Sequence, residues 1–427
     1  SQDHQTWKVF WAKQGQQWRT EPEIDAQRQA ELAARRSMTP DVAQGLYPLR
    51  GMKLSRADIE WLLATHEQGR GPVAYHDQSQ RDRVGLDLRG ADLSYVQLQN
   101  LPLARTLGDV TWRTWTTLTE KQHRMAAMQL QYTDLKGAHL EASSLEYANL
   151  QGADLRGCHL EEANLGEANL HKAYCEQAHL EGADLWFAHL EGAFLWHTYL
   201  QGARFYEARL EGAHLDRLVL ANENQVGPRL VDTHWGDANL AAVNWSQIRI
   251  LGDEYRASQK EREGKGKNRA ACIKEFEDAV RANRQLAVAL QAQGLNEDAA
   301  RFVYRSQVLQ RKVFALQGAS KLGSYLFSLL LALLTGYGYR MGRIVVAYVL
   351  LISLFAALYY GFGLSHPPHI SMVEALILSI AAFHGRVFSS PFLSDSPQAI
   401  VTAFEAISGL IFEGIFIAML TQRFFGR

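Results

Sequence analysis

Hydrophobic residues recur at every fifth position through the middle of this chain, a period that fits neither an α-helix nor a simple β-strand. Leu88, Leu93, Leu98 and Leu103 are in step, and all but two of the fifth positions from 130 to 220 are again Leu. Ala stands two residues before most of these centres, and Gly recurs two residues after them. A chain with this pattern turns a corner every five residues, with Leu and Ala inside and Gly at the corner. Four such faces predict a square coil of about 20 residues, stacked on the next coil at about 4.8 Å.

The blocks ANLQGADLRG, ANLGEANLHK and EGADLWFAHL resemble the pentapeptide-repeat family, and the resemblance covers about residues 85–252. It implies a right-handed quadrilateral β-helix. It implies no single function, because a fold of this kind is a scaffold. The repeat is interrupted at about 104–129, where TLTEKQHRMAAM predicts a helical insertion.

Helical segments are expected on both sides of the repeat. Residues 1–84 predict a cap region, with one helix over about Glu23–Arg36 and another after Ser55, a suitable N-cap. Residues 253–320 predict a charged linker followed by a helical hairpin, with one helix over about Arg269–Gln293 and the next beginning near Asn296.

Charges become rare after Leu322, and the pattern there is typical of membrane helices. Ile344–Ser365 carries no charge and is long enough to cross about 30 Å of hydrocarbon. Ile400–Leu420 is a second candidate span, and the apolar segment Met372–Phe383 between them is too short to cross. We therefore expect an interfacial helix at 321–343 that leads into a two-span module at 344–427 with a re-entrant helix.

Basic residues predict the orientation of this module. Arg340 and Arg343 precede the first span, and Arg423 and Arg427 follow the second. Both termini and the β-helix should therefore be cytoplasmic in a multi-pass protein of the cell (inner) membrane. Three cysteines are too few for a disulfide framework, which fits a reducing compartment.

The order of span, short helix, loop and span resembles the two-transmembrane pore module of potassium-type channels, over about residues 340–427. The potassium filter signature TVGYG is absent, and the short helix leads instead into Phe383, His384, Gly385 and Arg386 as filter-like positions. Two spans cannot enclose a pore, so the resemblance implies a homo-oligomer, by analogy a tetramer, for an ion that is not specified.

Three residues of the second span are candidates for lining such a pore: Glu405, Gly409 and Glu413, with Gly409 as a bend point. Ionisable groups inside a membrane usually face a bundle interior or water. The alternative for the two carboxyl groups is hydrogen bonding between helices. For His384 and Arg386 the alternatives are a constriction, or an outer turn in which Arg386 pairs with Asp395.

Residues 20 apart share a column on the predicted β-helix. His139, His159, His179 and Tyr199 form one column, and Glu141, Glu161 and Glu181 form its neighbour. These columns could sense pH or capture metal, but a repetitive scaffold favours ordinary solvated surface, so no metal site and no cofactor are expected. Trp186, Trp196 and Tyr206 form an aromatic patch suited to a cytoplasmic protein partner.

Composition limits the classes of function. The chain has 44 basic and 45 acidic residues, which argues against nucleic acid as a partner. Since nucleotide loops, zinc spacings and nucleophile elbows are missing from the sequence, we do not expect an enzyme. The leading hypothesis is an oligomeric ion channel or pore in membrane lipid with a regulatory or docking β-helix. The alternatives are a membrane-anchored scaffold without conduction and, less suited to a membrane, an acidic mimic of DNA.

Overall fold

A computed structural model describes residues 2–109, 118–262, 265–337, 341–365, 369–385 and 397–425. They form two compact units, residues 1–309 and 310–427.

The first unit is built on stacked square coils. Parallel β-bridges join residues 20 apart on each of the four faces, as from His139 to His159 and from His159 to His179. The Leu centres lie inside: Leu150, Leu170 and Leu190 are buried together with the Ala residues before them. Because one coil cannot bury its own core, each coil is stabilised by the coils on either side. The predicted pentapeptide-repeat β-helix is thereby confirmed.

The corners adopt left-handed backbone at the second residue after each centre from Leu130 to Leu215. Gly157 has φ of +62° there, as glycine allows without steric cost. The same conformation is imposed on other residue types, such as Lys172 with φ of +53° and Gln177 with φ of +59°. Stacking of the coils therefore holds these corners against the local preference of the residue.

Two insertions leave the coil and return to it. The first lies between Leu107, which bridges to Ser144, and Gln129, which bridges to Asp92, and it contains helix α4 (Glu120–Ala126). The second separates Arg204 from its bridge partner Arg229 by 25 residues rather than 20. An insertion of five residues keeps the period in step, so the sequence pattern does not reveal it.

Helices close the N-terminal end of the β-helix. They are α1 (Gln2–Lys13), α2 (Ala26–Arg36) and α3 (Arg56–Ala64), and α3 begins with a capping box between Ser55 and Asp58. Leu54, Ile59 and Leu62 extend the core beyond the first coil.

The C-terminal end is closed by a second group of elements. Helix α5 (Gly252–Ser258) is followed by a two-residue hairpin, β1 (Glu261–Arg262) with β2 (Lys265–Gly266), then α6 (Arg269–Ala292) and α7 (Asn296–Gln317). Leu286, Leu290 and Phe302 cover the last core layer, with the Phe302 ring 6.1 Å from that of Trp245.

The second unit is helical and apolar. It contains α8 (Leu322–Thr335), α9 (Met341–Ser365), α10 (Met372–Phe383) and α11 (Pro397–Phe425). The segments Gly342–Phe362 of α9 and Ala399–Ile417 of α11 are long and apolar enough to cross a membrane by length and composition. Helix α10 contacts both of them.

Candidate functional site

Glu405 of α11 joins the three helices of the apolar unit. Its carboxylate oxygens lie 2.6 Å from Tyr359 Oη on α9 and 2.5 Å from Ser379 Oγ on α10. The Tyr359 hydroxyl also lies 3.2 Å from Thr402 Oγ1. Glu405 is fully buried within its own chain. Its contacts match hydrogen bonding between helices, the alternative that the sequence raised, whereas pore lining by Glu405 stays a prediction.

Gly409 allows α10 and α11 to approach each other closely. A Cβ at this position would overlap the carbonyl oxygen of Phe383 at the end of α10. Helix α11 runs through Gly409 from Pro397 to Phe425, and the bend at Gly409 stays a prediction. A missing side chain lets the backbone of one helix approach the other.

The end of α10 lies between the two long helices. The buried Phe383 ring is 5.3 Å from the ring of Tyr348 on α9 and 5.8 Å from that of Phe412 on α11. Both partners belong to the segments that are long enough to cross a membrane. Helix α10 therefore ends at the depth of those segments, beside their side chains.

One predicted filter-like residue, His384, meets a predicted pore-lining residue, Glu413, at this end. His384 follows Phe383 as the C-cap of α10, and Gly385 has φ of +64°. His384 Nε2 lies 3.8 Å from Glu413 Oε1, at the rim of an apolar cleft of about 470 Å³. Arg386 and Asp395 fall outside the described residues, so the alternatives for Arg386 stay predictions.

The histidine column stacks as predicted along one face of the β-helix. The rings of His139 and His159 are 4.6 Å apart, those of His159 and His179 are 4.8 Å apart, and both pairs are nearly parallel. Each histidine Nδ1 faces the glutamate two residues on, at 2.8 Å for Glu141. That hydrogen bond raises the pKa of His139.

The three predicted aromatic residues lie on two sides of the β-helix. Tyr206 is exposed on one side, and Trp196, ten residues earlier, is exposed on the opposite side, two faces away around the coil. Trp186 is half-buried in the column of Tyr206 and lies over Gly166 of the preceding coil. Phe187 was missed: its exposed ring meets Tyr206 edge to face at 5.6 Å. Its place at a corner of the coil could have indicated this exposure, because a ring on left-handed corner backbone points to solvent.

A polar groove beneath helix α4 was also missed. It has a volume of about 700 Å³ and brings together Arg124, Tyr147, Glu167 and His189 with a ladder of amide side chains. Burial raises the pKa of Glu167. Sequence could not place this groove, because it exists only where the first insertion folds back over a β-helix face.

Comparison with known proteins agrees with the coil geometry. Residues 129–161, 148–186, 158–196 and 178–217 match the family described as pentapeptide repeats, in 8 copies. Residues 129–217 form a pentapeptide-repeat domain. No curated protein matches this sequence.

Solved pentapeptide-repeat structures also match part of this chain. One from the cyanobacterium Cyanothece 51142 is 26% identical over 34% of this chain and 90% of that protein, with a TM-score of 0.17. HetL from the cyanobacterium Nostoc, involved in regulation of heterocyst differentiation, is 26% identical over 36% of this chain and 82% of its own, with a TM-score of 0.15. A plasmid-mediated fluoroquinolone resistance protein is 17% identical over 41% and 88%, with a TM-score of 0.18. These TM-scores are too low to carry a conclusion about function.

Proposed function

We propose that this chain is one subunit of an oligomeric membrane pore, with its pentapeptide-repeat domain as a cytoplasmic docking or regulatory domain. One observation carries the proposal. Helix α10 is too short to cross a bilayer, and it is held between two helices that are long enough, ending beside Glu413. A plain anchor needs only the two long helices.

The buried Glu405 supports a fixed position for the re-entrant helix. Desolvating a carboxyl group is costly, and its contacts with Tyr359 and Ser379 offset that cost only when α9, α10 and α11 are assembled. The three helices are therefore bound into one arrangement, in which the end of α10 has a constant depth.

The chemistry at that end favours cations. The C-terminus of a helix carries partial negative charge from its unpaired carbonyl groups. Glu413 adds a carboxylate, and its side chain is 45% exposed toward the cleft. Rings of carboxylates are a common device for selecting cations in pores.

Assembly supplies the rest of the pore wall. The outer face of α11 exposes Ile407, Leu410 and Ile411, an apolar surface suited to lipid or to a neighbouring subunit. Because two spans cannot surround a channel, identical chains must assemble around an axis. The potassium-type modules that the sequence resembles suggest four.

Recordings in planar bilayers test the pore. The purified full-length protein is inserted with different KCl concentrations on the two sides, and the reversal potential is measured. We expect currents that favour cations, a reversal potential nearer zero for Glu413→Gln, and the parent value for Glu413→Asp, which keeps the charge. Parent oligomers that insert but carry no current, or equal reversal potentials for all three proteins, would contradict the proposal.

A second candidate function is a membrane-anchored scaffold without conduction. It is favoured by the exposed rings of Phe187 and Tyr206, which meet edge to face on one side of the pentapeptide-repeat domain, since clustered exposed aromatic residues are typical of interfaces. Photo-crosslinking from position 187 should then capture one defined protein, and Tyr206→Ala should abolish the capture. This result, together with a silent bilayer, would favour the scaffold over the pore.

A further inference from the structure

The histidine column brings imidazole and carboxylate donor atoms close together in two groups. His139, Glu141 and His159 each offer one donor atom, and these atoms lie within 4.8 Å of one another. His159, Glu161 and His179 repeat the arrangement one coil further along. Both groups bring imidazoles from adjacent coils to a shared carboxylate.

The carboxylates in this column have an unused oxygen. Glu141 has a side chain only 2% exposed; its Oε1 faces His139 Nδ1 at 2.8 Å. Its Oε2 is buried and has no hydrogen-bond partner, and the same holds for Oε2 of Glu161 and Glu181. A buried carboxylate oxygen without a hydrogen-bond partner lowers the stability of the fold, and stacked carboxylates in successive coils also repel one another.

We propose that this face of the pentapeptide-repeat domain binds a divalent transition-metal ion, best fitted by Zn²⁺, through His139, Glu141 and His159 or through the overlapping group centred on His159. Two imidazoles and a carboxylate form a familiar zinc ligand set, with water in the fourth position. The ion would use the unpartnered oxygen and offset the repulsion along the column. The inference is independent of the proposed pore.

The histidines have room to reach the ion. Parallel rings direct their nitrogen lone pairs side by side, so both rings must turn to approach the zinc–nitrogen distance of about 2.0–2.1 Å. The side chains of His139 and His159 are 46% and 31% exposed, which leaves their outer edges free to turn. The β-helix backbone fixes the spacing of the coils, so only the side chains need to move.

The donor types decide between metals. Imidazole nitrogen suits zinc, copper and nickel, whereas calcium and magnesium prefer sets made only of oxygen. Because His159 belongs to both groups and a neutral imidazole binds one ion through one nitrogen, the column should hold a single tightly bound ion.

Zinc binding to the purified full-length protein tests the site. Zn²⁺ alone is titrated in competition with a fluorescent chelator, and the stoichiometry is measured by elemental analysis after dialysis. His159→Phe is the main variant, because it removes the donor nitrogen yet keeps an aromatic ring in a column that already continues as Tyr199 stacked 4.4 Å from His179. We expect one ion for the parent and at least a tenfold loss of affinity for this variant.

The opposite face of the β-helix provides a matched control. His189 makes the same contact with Glu191, Nδ1 to Oε1 at 3.2 Å, but its column neighbours are Asn169 and Arg209 rather than histidine. His189→Phe should therefore keep the parent affinity, and circular dichroism should show that both variants are folded. Equal zinc affinity for the parent and His159→Phe, or an equal loss in His189→Phe, would overturn the site.

Discussion

Gly409 lies so close to Phe383 that a Cβ on the glycine would overlap the Phe383 carbonyl oxygen. The contact joins the middle of α11 to the end of α10. We expect Gly409→Ala to push the two helices apart and to lower the stability of the apolar unit by about 1–3 kcal/mol, the usual cost of overpacking. Thermal unfolding in detergent measures the loss.

Gly414, on the same helix, is the control for this substitution. A Cβ there would have no neighbour within 4 Å, and alanine favours a helix over glycine, so Gly414→Ala should not lower the unfolding temperature. If both variants unfold at the same temperature as the parent protein, the two helices do not approach each other as closely as described.

Glu405 offers a second test of the same unit. Glu405→Ala leaves the hydroxyl groups of Tyr359 and Ser379 without their carboxylate, and we expect a loss of about 1–2 kcal/mol. Glu413→Ala removes a carboxylate at the cleft rim instead and should cost less than half as much. Equal effects in thermal unfolding would mean that Glu405 does not link the three helices.

The corners of the pentapeptide-repeat domain predict opposite effects for two substitutions. At Gly157, with φ of +62° and open space around a Cβ, alanine should cost about 1 kcal/mol, since left-handed backbone is unfavourable for it. At Gln177, with φ of +59°, glycine should stabilise by a similar amount because the strain is removed. Urea unfolding followed by circular dichroism compares the two, and changes of the same sign would refute the explanation.

Asp253, at the C-terminal end of the β-helix, predicts a dependence of stability on pH. Its carboxylate accepts a hydrogen bond from the Leu230 N–H at 2.7 Å, and burial raises its pKa to about 6. The unfolded group has a pKa of about 3.9, so the folded state holds the proton more tightly. The contribution of this group to stability therefore falls as the pH rises from about 4 to about 6, by about 3 kcal/mol in all.

Asp253→Asn removes this ionisation while the amide oxygen can still accept from Leu230. The free energy of urea unfolding of the variant relative to the parent should therefore rise between pH 4 and pH 7. Asp216→Asn, at an exposed position, should show no such trend. Parallel pH profiles for the parent and Asp253→Asn would exclude a buried carboxyl with raised pKa.

The orientation of the chain is tested by labelling single cysteines in intact cells. The arginines that flank the two spans predict cytoplasmic termini and an outer or re-entrant segment at 365–398. An impermeant thiol reagent should therefore label Ser394→Cys and miss Ser55→Cys until the membrane is opened. The reverse pattern would overturn the orientation.

The core of the β-helix follows from sequence because its period is local. Whether Leu170 points inward is decided by its place in a unit of five residues, whatever lies beyond the neighbouring coils. The five-residue insertion before Arg229 cannot be detected in this way, because it adds one full period and leaves the repeat in step.

The candidate sites depend on contacts that are distant along the chain. Glu405 is separated from Tyr359 by 46 residues, so this hydrogen bond could not be predicted from spacing along the chain. The histidine column was predictable because residues 20 apart must stack. The unpartnered oxygen of Glu141 was not predictable, because burial of that carboxylate depends on neighbouring side chains.

The parallel bridges between residues 20 apart make the coil a unit of length. Deleting or duplicating one whole coil would move one cap relative to the other by about 4.8 Å and would leave both caps and every corner unchanged. Tandem duplication in a gene supplies such changes directly. The distance between the two capped ends can therefore change during evolution in steps of one coil, independently of the side chains on the faces.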